Sequence, residues 1–313
     1  MKTMKLAIPL LVALAYGPSQ ALAAPILGSD LASFAVLGAS TVTNIPTSTI
    51  VGNVGVYAGT SITGFSSSPN SAVADTQVTT GMVHTTTALA QSAQGQLTTA
   101  IGNLGSLGAG NTLINPDLAG LVLSPGIYTV PAGTTNLSGA VTLDGQGNAD
   151  AFWLFQMPST LITSSGSDVK LINTGAGAGV FWNVGSSATL GSTTSFEGNI
   201  LASASITLDT GATIGCGRAL ASTGAVTMDT NTINAVDCTG TGAVGSNGLS
   251  GSGLDFVADK GWVVIGAERP GAGTVVSVPG TVLSVPEPGT IALFGFGLMG
   301  LALSQRRNLR LPT

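Results

Sequence analysis

Short runs of polar and apolar residues repeat between Ser186 and Ala235. Thr189, Thr207 and Thr227 each begin one of these runs and lie 18 and 20 residues apart. The runs combine Thr and Ser with Leu, Ile and Met, and their apolar residues do not recur at helical steps. A period of about 20 residues with short strand-forming runs is typical of a β-solenoid, in which each coil buries its apolar side against its neighbours.

One long segment departs from this pattern and predicts a helix over about residues 75–104. Its apolar residues recur at steps of three, four or seven, as on one helical face: Val78, Met82, Leu89, Ala93, Leu97, Ile101 and Leu104. Asp75 is the predicted N-cap, and Gly102, Gly105 and Gly108 are expected to end the helix. The lone His84 has no second His, Cys or carboxylate beside it, which favours a surface position over a metal ligand.

A series of landmarks in order makes residues from about Leu27 to Val236 resemble the DUF3494 family, the ice-binding-protein-like domain of microbial secreted proteins. They include Leu27–Leu37, Gly52–Val56, Ser61–Phe65, Leu123–Tyr128, Trp153–Gln156, Val180–Asn183, Phe196–Ala202 and Gly217–Ala221. The resemblance implies a mainly β fold, a right-handed three-faced β-solenoid with one long α-helix packed alongside. The corresponding domain is expected to span residues 24–238, with the first coils and a cap near its beginning.

The sequences at both ends of the chain are typical of targeting segments rather than of parts of the folded domain. Residues 1–23 combine Lys2 and Lys5, an apolar stretch and the small-residue site Ala21-Leu22-Ala23, as in a signal peptide. Residues 285–313 contain Pro286, Glu287 and Pro288, then an apolar helix predicted over 290–304, then arginines. They resemble the PEP-CTERM sorting signal, which implies export from a Gram-negative bacterium, transient inner-membrane anchoring and exosortase processing. Signal peptidase and exosortase are therefore the expected partners during export, followed by a surface or extracellular location.

Residues 239–284 are rich in Gly and Ser, and their composition predicts a flexible linker. Within it, residues 254–265 include Phe256, Trp262, Val263 and Val264. These residues have strand-forming character, but the sequence assigns them no role.

Composition excludes some functions. Charged residues make up 7% of the chain and the net charge is −5, which disfavours nucleic-acid binding because that needs a basic patch. Aromatic residues make up 5%. Trp153 and Trp182 could serve as sugar platforms, but their apolar neighbours favour a core position. Phe155-Gln156 and Trp182-Asn183 match between coils and predict an inner aromatic stack beside an amide ladder.

The two cysteines, Cys216 and Cys238, are 22 residues apart, close to one coil. Neighbouring coils lie about 4.8 Å apart, within disulfide reach, and an exported chain is oxidised. We therefore expect a disulfide, with two free thiols as the alternative. The disulfide would fasten the last coil, which is expected to fray most easily.

Asp209 and Asp229 also match between coils. Paired carboxylates could serve glycoside chemistry or bind Ca²⁺. No third acid, His or Lys recurs beside them, and stacked like charges repel, so solvated corners are the preferred interpretation. No metal and no cofactor is predicted.

Hydroxyl side chains recur along the aligned coils and form the candidate binding surface. Thr210-Gly211-Ala212-Thr213 matches the Thr-(Ala/Gly)-x-(Thr/Asn) motif of ice-binding family members, whereas Ser165–Asp168 and Thr230–Thr232 depart from it. Leu208, Ile214, Met228 and Ile233 are expected to point inward, so the hydroxyls should point outward. The predicted ice-binding set is Ser165, Ser167, Ser192, Thr194, Ser195, Thr210, Thr213, Thr230 and Thr232.

The leading hypothesis is a secreted, non-enzymatic ice-binding protein whose flat Thr/Ser face orders water, with the ice crystal surface as its partner. A flat, rigid, uncharged lattice of hydroxyls and methyls suits that role, although Thr also suits any β-face. One alternative is a structural or adhesive protein of the extracellular polysaccharide matrix. A carbohydrate-active β-helix enzyme is the other.

Overall fold

The computed structural model describes residues 24–149, 151–175 and 178–236, together with three later strands, and has a mainly β fold. Up to the long helix the elements are β1 (Ala24–Pro25), α1 (Ser29–Ala32), β2 (Phe34–Gly38), β3 (Thr41–Ile45), β4 (Thr49–Val51), β5 (Asn53–Val56), β6 (Ser61–Thr63), β7 (Ser71–Val73), β8 (Val78–Thr79), β9 (Val83–Thr85) and α2 (Ala88–Ser106). The strands that follow are β10 (Asn111–Thr112), β11 (Val122–Leu123), β12 (Gly126–Thr129), β13 (Ala140–Asp144), β14 (Phe152–Met157), β15 (Leu161–Ile162), β16 (Asp168–Ile172), β17 (Gly179–Val184), β18 (Ala188–Leu190), β19 (Ser195–Ala202), β20 (Ile206–Leu208), β21 (Thr213–Ala221), β22 (Val226–Asp229), β23 (Thr232–Asn234), β24 (Gly253–Val257), β25 (Gly261–Ile265) and β26 (Val275–Val276).

Most of these strands stack in three parallel ladders. Ladder A runs β10-β12-β14-β17-β19-β21-β2-β5-β9. Ladder B runs β11-β13-β16-β19-β21-β23-β4-β8. Ladder C runs β15-β18-β20-β22-β3-β6. The long strands β19 and β21 belong to both A and B, and their register shifts between Phe196 and Gly198, where one ladder gives way to the other.

The coils do not stack in sequence order. Strands β2, β3 and β4 of the N-terminal coil pair with β21, β22 and β23, which form the last described coil. The expectation that this last coil forms a fraying end is therefore wrong, because the N-terminal coil covers it. Helix α2 separates the N-terminal coils from the coil that begins at β10, at the opposite end of ladder A.

The long helix begins at Ala88, later than predicted. Thr87, not Asp75, caps it by accepting a hydrogen bond from the Ala90 backbone N–H at 3.2 Å. Residues between Asp75 and Thr87 instead form β8 and β9, because Val78 and Val83 pack inside the coils. The buried helix residues Ala93, Leu97 and Leu104 pack in one cluster with outward residues of ladder A, such as Leu154, Phe181 and Leu201.

The predicted inner stack is confirmed. Phe155 stacks on Trp182 with ring centroids 4.0 Å apart, and Trp182 contacts Phe196 at 4.9 Å. Beside the rings, the Asn183 amide donates to Gln156 Oε1 at 2.9 Å. The indole N–H groups of both tryptophans donate to backbone carbonyls, so these fully buried rings belong to the core.

His84 is not a surface residue, as its sequence neighbours had suggested. It lies in β9 with 8% of its surface exposed and meets Phe34 edge to face at 5.4 Å. Its Nδ1 is 3.2 Å from the Thr87 hydroxyl. Burial lowers its pKa, so the imidazole is neutral near neutral pH.

The predicted linker contains the antiparallel strands β24, β25 and β26, and β24 also pairs with β1. Strands β24 and β25 overlap residues 254–265, where the sequence had strand-forming character. Residues 1–23, the sorting signal at 285–313 and Cys238 lie outside the described residues. Across the part of the chain that is described, no helix has the length and apolarity needed to cross a membrane.

Candidate functional site: two hydroxyl surfaces

Ladder C carries a row of threonines in register. Thr189, Thr207, Thr227, Thr43 and Thr63 occupy the same position on five successive strands. Their neighbours Ala188, Ile206, Val226, Val42 and Ile62 are buried, so alternation along each strand turns the threonines outward. Thr63 is exposed and the other four are half-buried. We call these five residues the threonine row.

A second outward row runs beside the threonine row, at or just before the strand starts. It contains Ser187, Ser205, Ala225, Thr41 and Ser61. The Ser187 hydroxyl accepts from Ser205 N at 3.3 Å, and the Ser205 hydroxyl accepts from Ala225 N at 3.2 Å. These bonds hold the serines in place. The two rows give a grid of about 4.8 Å between strands and about 6.8 Å along each strand, without a charged side chain.

Ladder B carries part of the predicted set. Ser195, Thr213 and Thr232 stand in register, and Thr49 of the N-terminal coil continues the row. Ser195 and Thr232 are exposed and Thr213 is half-buried. Asp168 is the next residue beyond Ser195, so this hydroxyl row ends at a carboxylate.

Charge distinguishes ladder B from ladder C. Asp168 forms an ion pair with Lys170 at 3.5 Å. The pKa of the nearby Glu197 is raised to about 7, mainly by burial and in smaller part by the Asp168 charge, against the opposing effect of a hydrogen bond from Cys216 N at 2.8 Å. Ladder B therefore presents hydroxyl groups toward the N-terminal coil, and it carries the charged Asp168 and Lys170 and the titratable Glu197 at its other end.

Thr210 and Thr230 lie at the corner between ladders C and B, and both are exposed. The sequence alignment placed these two threonines at the same position of neighbouring coils, but the structure does not. Thr230 has a positive φ of 53° and takes the left-handed corner position that Gly211, at 70°, holds in the preceding coil. The neighbour of Thr210 is instead Asp229, whose carboxylate accepts the Thr210 hydroxyl at 2.5 Å. The matching Asp209 and Asp229 lie half-buried at this corner.

Two predicted hydroxyls point inward, so their assignment to the surface is wrong. Thr194 is fully buried with its Oγ1 3.0 Å from that of Thr163, and Ser167 donates to the Leu137 carbonyl at 2.7 Å. Strand alternation does not extend through the corner, because the left-handed residue Thr193 turns the chain just before Thr194. Ser165 is exposed and Ser192 is half-buried, while Leu208, Ile214, Met228 and Ile233 are buried as expected.

The sequence prediction missed the threonine row, although a signal was present. Thr189, Thr207 and Thr227 define the repeat itself, and each precedes a buried residue. Thr43 and Thr63 carry no such signal, because they join the row only when the N-terminal coil docks on the last described coil. Among the described residues, no group of three or more metal-ligating side chains comes together.

Comparison with known proteins places this architecture in a family. The ice-binding-like family model matches residues 36–234, and the PEP-CTERM protein-sorting motif matches residues 284–307. The ice-binding protein of Nostoc sp. (strain HG1) is 45% identical over 202 residues, covering 64% of this chain and 71% of that protein. The crystal structure of an ice-binding protein from the Antarctic ascomycete Antarctomyces psychrotrophicus superposes with a TM-score of 0.60 at 35% identity, covering 68% of this chain and 98% of that one. The Flavobacterium frigoris (strain PS1) ice-binding protein is 31% identical over 216 residues, covering 64% of this chain and 73% of that protein. The chain therefore belongs to the ice-binding-like family and carries a C-terminal PEP-CTERM sorting motif.

Proposed function

We propose that this protein is an exported, non-enzymatic ice-binding protein that contacts ice through ladder C of a right-handed, three-faced β-solenoid. Relatives named as ice-binding proteins support the activity, and the PEP-CTERM motif supports export with exosortase processing. The observation that carries the choice of surface is the threonine row, five threonines in register on neighbouring strands.

The physical argument rests on pre-organisation. Each threonine offers one hydroxyl and one methyl group, and the strand spacing holds these groups on a regular grid before ice is met. Water bound along the grid can join the ice lattice with little additional ordering of the protein. On ladder C, the carboxylates of the described residues are Asp209 and Asp229, and both lie at the corner. Ladder B bears Asp168, Lys170 and Glu197 within its strands.

A lysine scan tests the surface. Thr207→Lys places a protruding, hydrated charge in the middle of the threonine row, and we expect loss of thermal hysteresis and of ice-recrystallisation inhibition. Thr99→Lys on the exposed side of α2 is the matched control and should retain full activity. The melting temperature of Thr99→Lys should stay close to that of the parent, because exposed substitutions usually change stability by about 0.5 kcal/mol or less. Thr207 is half-buried, so the melting curve of Thr207→Lys is measured to show that loss of activity is not loss of fold.

Thr213→Lys on ladder B decides between the two hydroxyl surfaces. If it abolishes activity while Thr207→Lys does not, the ice contact is the surface predicted from the sequence motif, and the choice of ladder C is overturned. If the unaltered protein shows no activity at any concentration, the matrix-protein alternative replaces ice binding.

A further inference from the structure

The threonine row crosses a seam between parts of the chain far apart in sequence. Thr227 and Thr43 are neighbours across this seam, where β22 pairs with β3. Parallel strands with alternating apolar residues can slip by two positions and still bury the same face. A slip of β3 in one direction would move Ile45 next to Thr227 and break the row, whereas a slip in the other direction would replace Thr43 with Thr41. Something other than the apolar pattern must therefore set the register.

A chain of buried polar groups lies beside the seam. The Ser48 hydroxyl accepts from Asn231 N at 2.9 Å and donates to Asn44 Oδ1 at 2.7 Å. The side-chain oxygen Oε1 of Gln77 accepts from Ser48 N at 2.9 Å and from Asn44 Nδ2 at 3.0 Å. Asn44, Ser48 and Asn231 are each at most 4% exposed, so water cannot replace these bonds.

On the other side of the seam, the Asn231 side chain is held in place. Its amide donates to the carbonyls of Asp209 and Ala212, both at 2.9 Å, and its Oδ1 accepts from Asp229 N at 2.6 Å. The same network therefore fixes the ends of β20 and β22 as well as β3. Asn44 itself lies in β3 opposite Met228, where the other strands of ladder C place Leu190 and Leu208.

We propose that Ser48 and Asn231, supported by Asn44 and Gln77, are positioning residues that lock the register of the threonine row across the seam. In a slipped register the Asn231 N–H would be buried without its Ser48 acceptor, and such a group is costly. A single buried polar residue selects register in coiled coils on the same physical ground. The inference rests on the proposed ice-binding function only for its activity readout.

Cysteine pairs report the register directly. Thr227→Cys with Thr43→Cys should cross-link on mild oxidation, whereas Thr227→Cys with Ile45→Cys should not. Adding Ser48→Ala should reduce the first cross-link and produce the second. Without the introduced cysteines, the Ser48→Ala variant should lose most of the thermal hysteresis of the parent protein. Gln77→Ala changes a less buried position and should change the cross-link pattern and the thermal hysteresis in the same direction. It replaces Ser48→Ala as the test variant if Ser48→Ala does not fold.

The control is Val141→Ala, which cuts a fully buried side chain from β13 in ladder B, away from the seam. It should lower thermal stability without changing either cross-link or the hysteresis. If Ser48→Ala or Gln77→Ala keeps the Thr227–Thr43 cross-link alone and full hysteresis, the network has no positioning role and the inference is wrong. If the cross-links shift as expected but the parent protein shows no hysteresis, the register lock holds and the ice-binding proposal fails.

Discussion

Arg218 donates two hydrogen bonds to the carbonyl oxygen of Ala32, from Nε at 3.1 Å and from Nη2 at 2.7 Å. Nη2 also donates to the Ala235 carbonyl, and Nη1 donates to Asn199 Oδ1, both at 2.9 Å. The side chain is fully buried, which lowers its pKa to about 9, so the guanidinium remains charged at neutral pH. These contacts fasten the N-terminal segment to the last described coil, at the junction that completes the threonine row.

Replacing this arginine should destabilise the fold strongly. Arg218→Ala removes the buried donor to the Ala32 and Ala235 carbonyls and to Asn199 Oδ1, and we expect the free energy of unfolding to fall by about 3 kcal/mol or more. Urea unfolding measures this change. Lys170→Met, which removes a cation from an exposed ion pair, is the control and should change stability by less than about 1 kcal/mol. An Arg218→Ala variant as stable as the control would contradict the role of this contact.

The raised pKa of Glu197 predicts that the free energy of unfolding falls as the pH rises. Its pKa is about 7 in the folded chain against an ordinary 4.5, so between these values the unfolded chain releases a proton that the folded chain retains. Raising the pH through this window therefore lowers the free energy of unfolding, by at most about 3 kcal/mol. The contribution is fully present below the lower value and lost above the upper one.

Glu197→Gln should remove this part of the pH dependence. The measurement is the difference between parent and variant in urea unfolding at about pH 5 and about pH 8. Taking the difference cancels other titrating groups, including His84, whose lowered pKa acts in the opposite direction. A difference that stays constant between the two pH values would show that the Glu197 pKa is ordinary.

The Cys216–Cys238 disulfide stays a prediction, because Cys238 lies outside the described residues. Cys216 is buried and is not a free thiol. Reduction should cost about 3 kcal/mol for a loop of this length. Because the N-terminal coil covers the coil of Cys216, the loss should appear as lower global stability rather than as local fraying. Thiol titration of native, unreduced protein should find no reactive sulfhydryl, and finding two would rule the disulfide out.

Cleavage at both ends of the chain predicts the mass of the secreted protein. The secreted protein should begin near Ala24 and lose everything after about Pro288, since the family model places the sorting motif at residues 284–307. Intact-mass spectrometry of protein from the producing cells measures both cuts. A secreted species that still carries residues 291–310 would contradict exosortase processing.

The sequence alone determined what depends on local order. A short period with Thr, Leu and Ile predicted the coils, and their alignment predicted the Phe155–Trp182 stack and the Gln156–Asn183 ladder, because equivalent positions in neighbouring coils must touch. The apolar stripe of the helix was predicted, but the predicted start near residue 75 was earlier than the observed start at Ala88. Val78 and Met82 fit its periodicity by chance, and pairing of β8 with β4 prevailed over that local pattern.

Only the tertiary structure decided how the coils are joined. No periodicity links Thr43 to Thr227, since their contact arises from docking between segments more than 180 residues apart, fastened by Arg218 and by the Ser48–Asn231 bond. The corner likewise escaped prediction. A left-handed residue such as Thr193 or Thr230 reverses the alternation that assigns side chains to a face, which is why Thr194 is buried while Thr207 faces outward. Faces can be read along a strand from its period of two, but the order of coils and the path around a corner depend on contacts that only the folded chain makes.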